Sequence, residues 1–115
     1  MNILLVEDNP TDLKLFSAVL KASGHHTFEK DSAEQAVAEI RQHQPEVILL
    51  DLKLTGMGGL ELARRLKADA ATRHIPIIAI TGARETYSRE QALAAGCDAF
   101  LTKPVPPASS PRKSP

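Results

Sequence analysis

A chain of 115 residues has room for one ordinary domain built on one hydrophobic core. Apolar residues at 43% and charged residues at 24% are ordinary globular usage, which argues against a disordered chain, and no apolar run approaches the roughly 20 residues a membrane span requires. Fourteen basic and fourteen acidic side chains cancel, so the broad positive field that gathers nucleic acid or anionic lipid is missing. The single Cys97 excludes an internal disulfide and fits a small filler in a reducing, cytoplasmic setting; no basic stretch leads into a long apolar run at the N-terminus.

The first apolar run, Ile3 to Val6, is too continuous for a half-exposed strand and predicts one buried on both faces. Pro10 then sits where a first helical residue tolerates proline; Leu13, Phe16 and Leu20 line one face of a helix, and Gly24 stops it. His25 to Lys30 is more polar, as an edge strand would be. Ser32 with Gln35 reads as a capping box, followed by a stripe of Ala33, Ala36, Val37 and Ile40. Val47 to Leu50 predicts a third strand; Leu60, Ala63 and Leu66 a third helix; Ile75 to Ile80 a fourth strand. Ser88 to Ala95, ended by Gly96, makes a weaker fourth helix whose alanines suit close packing on a sheet, and Ala99 to Leu101 is the last strand.

Alternating strands and helices joined by right-handed crossovers give an α/β class, doubly wound: a five-stranded parallel sheet with helices on both faces. In the flavodoxin-like order 2-1-3-4-5, functional groups gather at the carboxyl ends of the central strands. Those ends carry Glu7 and Asp8, Asp51, Thr81 and Lys103. Singly, each has a plain structural explanation: Asp8 could cap the helix that starts near Pro10, and Asp51 could mark a strand end. Together they imply a site, because three carboxylates brought together repel unless a divalent cation or a cationic side chain neutralises them, and hard oxygen ligands select Mg²⁺. Lys103 would be the fixed positive charge.

Val6-Glu7-Asp8-Asn9, Leu49-Leu50-Asp51-Leu52, Met57-Gly58-Gly59, Ile80-Thr81-Gly82 and Lys103-Pro104 resemble, in identity, order and spacing, the signature of response regulator receiver domains, over Met1 to about Val105. The resemblance implies two-component phosphorelay signalling. Asp51 would accept a phosphoryl group from a sensor histidine kinase, a phosphotransfer protein or a small phosphodonor, forming an aspartyl phosphate. Asp8, the Asp51 carboxylate and the backbone carbonyl of Lys53 would hold Mg²⁺, with Glu7 acting mainly through water. Thr81 and Lys103 would contact phosphoryl oxygens after transfer, and Phe100 aligns with the aromatic that changes rotamer when Thr81 moves. Physically, phosphoryl transfer asks for positioning and for positive charge around the equatorial oxygens, which a metal and one lysine provide. On this reading the chain is no enzyme beyond its own Mg²⁺-dependent phosphorylation and dephosphorylation. Its output is contact with a downstream protein, without nucleic acid or membrane. A second reading, from another class, is a binding or scaffold module of the same fold that no longer depends on phosphate.

An enzyme rival rests on Asp51-Leu52-Lys53-Leu54-Thr55, which is similar to the D-x-D-x-T loop of haloacid-dehalogenase-type phosphatases. Lys53 replaces the acid that would protonate the leaving group, and the Glu7-Asp8 pair precedes the nucleophile, so this rival is the weaker one. Gly56 to Gly59 reads as a flexible loop bordering the acceptor. His25, His26, His43 and His74 lack ligand spacing, and Asp31, Asp69, Arg64 and Arg65 read as solvated.

The chain departs from the receiver pattern after residue 105. Pro106, Pro107, Pro111 and Pro115 cannot sustain the fifth helix such a fold carries, so residues 1–105 read as the receiver and 106–115 as a Pro/Ser-rich tail. The lost burial of about four apolar side chains corresponds to about 6 to 12 kcal/mol. The sequence therefore predicts a face shielded by the tail, by a second copy of the chain as a homodimer, or by a partner.

Overall fold

The computed structural model describes residues 1–52, 58–81 and 89–102, apart from the side chains of Thr81, Arg89 and Thr102. Strand β1 (Asn2–Val6) leads into α1 (Pro10–Ala22), β2 (His26–Lys30), α2 (Ala33–Gln42), β3 (Val47–Asp51), α3 (Gly59–Ala68), β4 (Ile77–Thr81), α4 (Arg89–Ala94) and β5 (Ala99–Thr102). All pairings are parallel, and the spatial order is β2-β1-β3-β4-β5, the flavodoxin-like arrangement expected. Four helices and no fifth lie among the described residues. The proline-rich segment, 103–115, falls outside them.

The period-two alternation of each strand splits the core. Leu4, Val6, Ile48, Leu50, Ile77 and Ala79 face one side, where α2 contributes Ala33, Ala36 and Ile40, and α3 contributes Leu62, Ala63 and Leu66. Ile3, Leu5, Leu49 and Ile80 face the other, against Leu13, Phe16 and Leu20 of α1. Leu62 completes a stripe that the sequence had anchored on Leu60, which is only partly buried. Phe100 is also half-buried against the first cluster, with Ala92, Ala95 and Cys97. Burial first, and the nearby Asp98 charge second, push the Cys97 thiol up to about 11, so it is an inert core filler as expected.

Local chemistry sets the element ends. Helix α1 closes in a Schellman motif: Gly24, at φ 90°, donates to the Lys21 carbonyl, and His25 donates to Leu20. Ser32 caps α2 by accepting from the Gln35 amide at 3.2 Å. The predicted fourth strand begins two residues late, because Pro76 has no N–H to give the ladder and contributes only its carbonyl, to Ile48. Between α1 and β2 the contact is polar: the buried Ser17 hydroxyl donates to Glu29. That bond holds the Glu29 carboxyl below its usual range, against the opposing effect of burial, with Lys21 assisting at 3.4 Å.

Among the described residues the histidines do not join in a metal-ligating group. His26 and His43 instead flank the Phe28 ring, edge-on at 4.9 Å and stacked at 6.0 Å, with His43 held to Glu39 at 2.9 Å.

Candidate functional site

The parallel sheet brings the ends of β1 and β3 side by side, pairing Val6 with Leu50. Glu7 continues the ladder by donating its amide to the Lys30 carbonyl, and its Oε2 accepts from the Asn9 amide at 3.1 Å. Asn9 caps α1: its Oδ1 accepts from Thr11 at 2.9 Å and from Asp12 at 3.1 Å. The cap that the sequence could have given to Asp8 therefore belongs to Asn9, and Asp8 is held between two fastened neighbours. Asn9 directly ahead of a proline at the first helical position was a readable cap signal.

Asp8 joins a cluster. One carboxylate oxygen from each of Glu7, Asp8 and Asp51 lies within 4.8 Å of the others. Glu7 is 1% exposed and Asp51 2%. At that spacing and an effective dielectric of about 20, each pair of ionised groups repels by about 3 kcal/mol or more. The donor set consists of hard oxygens only and is strongly anionic, which fits a small divalent cation such as Mg²⁺ and offers nothing to a thiophilic metal.

The opposite side of Asp51 is set by β4. Asp51 pairs with Ile80, and the Leu52 amide donates to the Ile80 carbonyl at 3.0 Å. Thr81, the next residue on β4, pairs with Thr102 of β5, so its backbone stands at the same edge of the sheet as Asp51. The Thr81 hydroxyl, Lys53, Lys103, Met57 and Gly82 lie outside the described residues.

One reading needs correction. Of the segment read as a flexible loop, Gly56 and Met57 lie outside the described residues, Gly58 is the N-cap of α3 at φ 84°, and Gly59 is no loop residue but the first residue of that helix, packed beside Asp51. Spacing alone could not distinguish a glycine chosen for flexibility from one chosen for close approach.

Comparison with known proteins agrees with this geometry. The family model for the response regulator receiver domain matches residues 3–110. The polar-differentiation response regulator DivK of Brucella ovis is 38% identical over 104 residues, covering 90% of this chain and 85% of that protein. Among solved structures, the receiver domain of a Pseudomonas aeruginosa sensor histidine kinase, with a magnesium ion coordinated in its active-site cleft, is 34% identical with a TM-score of 0.81, covering 93% of this chain and 88% of that one. The N-terminal domain of a response regulator receiver protein from Methanoculleus marisnigri is 28% identical with a TM-score of 0.80, covering 90% and 84%. Fold, strand order and the acidic cluster thus meet an independent sequence match over nearly the whole chain, and the protein belongs to the response regulator receiver domain family.

Proposed function

We propose that this chain works in a two-component phosphorelay by accepting a phosphoryl group on Asp51 and thereby changing which protein it binds. The observation that carries the reading is the meeting of Glu7, Asp8 and Asp51, from two separate strand ends, within 4.8 Å. A carboxylate nucleophile needs no separate base; an Asp51 oxygen forms a bond to phosphorus while the phosphorus–nitrogen bond of a phosphohistidine breaks and the imidazole leaves with the electron pair.

Asp8, Asp51 and the backbone carbonyl of Lys53 would hold Mg²⁺, with Glu7 acting mainly through water. When bound, the cation supplies positive charge to the equatorial phosphoryl oxygens. Lys103 adds a fixed charge, and Thr81 takes up a phosphoryl oxygen. Movement of Thr81 biases Phe100 and the face of α4 and β5 between two arrangements, which a downstream protein reads. Lys53, two residues beyond the acceptor, lines the approach of water, so Lys53→Ala changes the lifetime of the phosphoryl group. Among the described residues no helix is long and apolar enough to cross a membrane.

The test is intact-mass spectrometry after incubation with acetyl phosphate and Mg²⁺, with Asp51→Asn alongside. A single phosphoryl adduct on the parent chain only is expected. No adduct on folded, Mg²⁺-binding parent protein would turn the reading to a phosphate-independent scaffold.

A further inference from the structure

The backbone that carries Asp51 is gripped from two sides. On one side the Leu52 amide donates to the Ile80 carbonyl of β4 at 3.0 Å. On the other, the Leu52 carbonyl accepts from the Gly59 amide at 3.3 Å, so the first residue of α3 reaches back onto the residue after the acceptor. The Leu52 side chain is fully buried. No space remains between helix and acceptor: a Cβ on Gly59 would stand 2.5 Å from the Asp51 carbonyl oxygen and 2.6 Å from the Leu52 Cα, and both are backbone atoms with no rotamer to yield.

We infer that Gly59 is a positioning residue for the phosphoacceptor: the missing side chain lets α3 press on the Asp51–Leu52 peptide and hold the Asp51 carboxylate in register with Glu7 and Asp8. This deepens the proposed function and rests on it. Any side chain at 59 must push the peptide back by about 0.9 Å, from 2.5 to 3.4 Å, to reach ordinary contact distance. The displacement falls on the one acid of the cluster that both binds the cation and forms the new bond. Misplacement on the ångström scale costs reacting groups on the order of 100-fold in rate.

Gly58 supplies the control. It has a left-handed φ of 84°, so alanine there strains the start of the same helix, yet a Cβ at Gly58 meets nothing within 4 Å. Gly58→Ala and Gly59→Ala both weaken the entry into α3, and only Gly59→Ala touches the acceptor.

The experiment uses the full chain and measures Mg²⁺ affinity by calorimetry, the rate of phosphorylation by acetyl phosphate, and stability in urea for the parent, Gly58→Ala and Gly59→Ala. The expected result is a fall of about 10-fold or more in both Mg²⁺ affinity and phosphorylation rate for Gly59→Ala, with Gly58→Ala near the parent at comparable loss of stability. Equal behaviour of the two variants at the site, with an active parent, overturns the positioning role and leaves the proposed function standing. A folded parent that neither binds Mg²⁺ nor takes up a phosphoryl group overturns both. Should Gly59→Ala not fold, hydrogen exchange on the parent decides: the clamp requires the Gly59 amide, which donates to the Leu52 carbonyl, to be as protected without Mg²⁺ as the β3 amides, and exchange at surface rates overturns it.

Discussion

The two ends of the same sheet treat charge in opposite ways. At the amino end, Lys67 of α3 reaches the Asp98 carboxylate at 2.9 Å and donates to the carbonyls of Ile75 at 2.9 Å and Arg73 at 3.1 Å. Asp98 in turn accepts the Ile77 amide at 2.8 Å, closing the entry to β4. The Lys67 stem lies over Gly96, where a Cβ would meet its Cγ at 2.6 Å. At the carboxyl end, three acids of one sign converge within 4.8 Å. One end matches charge to hold the fold, and the other concentrates charge that a cation can use. On the function proposed above, the sheet's two edges answer to different demands, stability at one and chemistry at the other.

The largest expected effect breaks the matched end. Lys67→Met keeps the apolar stem but takes the ammonium donor from two backbone carbonyls and leaves Asp98 with the Ile77 amide only, and urea unfolding should show a loss of about 2 kcal/mol. The opposite sign is expected at the other end. Asp8→Asn removes one of three like charges, so the metal-free protein should gain about 1 kcal/mol, while added Mg²⁺ should raise the melting temperature of the variant less than that of the parent. If both substitutions destabilise alike, the contrast between the ends is wrong.

A third prediction sharpens the matched end by pH. Burial pushes the Asp98 carboxyl up, but the Ile77 amide and the Lys67 ammonium outweigh it, so the folded-state pKa is lowered below 3.8. A depressed carboxyl contributes stability that is present above its unfolded value and lost as pH falls through the folded one. Denaturation curves taken from about pH 6 to about pH 3 should therefore fall less steeply below pH 3.8 for Asp98→Asn than for the parent. The smallest effect concerns a neighbour on the same helix. Arg65 meets Glu61 at 3.1 Å, nearly as close as Lys67 meets Asp98, yet the Arg65 side chain is 62% exposed where that of Lys67 is 19% exposed. Arg65→Ala should change stability by less than about 0.5 kcal/mol; a loss comparable to that of Lys67→Met would show that distance, rather than burial, governs these pairs.

Much of this was legible beforehand, and particular residues show why. The continuous apolar runs marked buried parallel strands, and Pro10, Gly24 and Ser32 marked helix ends because capping and φ preferences are local. Glu7, Asp8 and Asp51 were singled out because strand ends in a doubly wound sheet share one edge, and the structure brings these three together. Lys67 and Asp98 were not singled out: 31 positions apart in the chain, they meet only because α3 and β5 flank the same strand end, and no local pattern announces such a pair. Gly59 is ambiguous in sequence, since a glycine needed for close approach and one needed for flexibility look the same there.

Sequence by itself determined the periodicities, the breaks and the residue types at each strand end, because backbone propensity and hydrophobic burial act over a few neighbouring residues. Tertiary structure alone decided that Lys67 closes the amino end and that Gly59 lies against the Asp51–Leu52 peptide. Those outcomes depend on ångström-scale packing between elements distant in the chain, where steric fit and charge pairing are settled only once the sheet and its helices have come together.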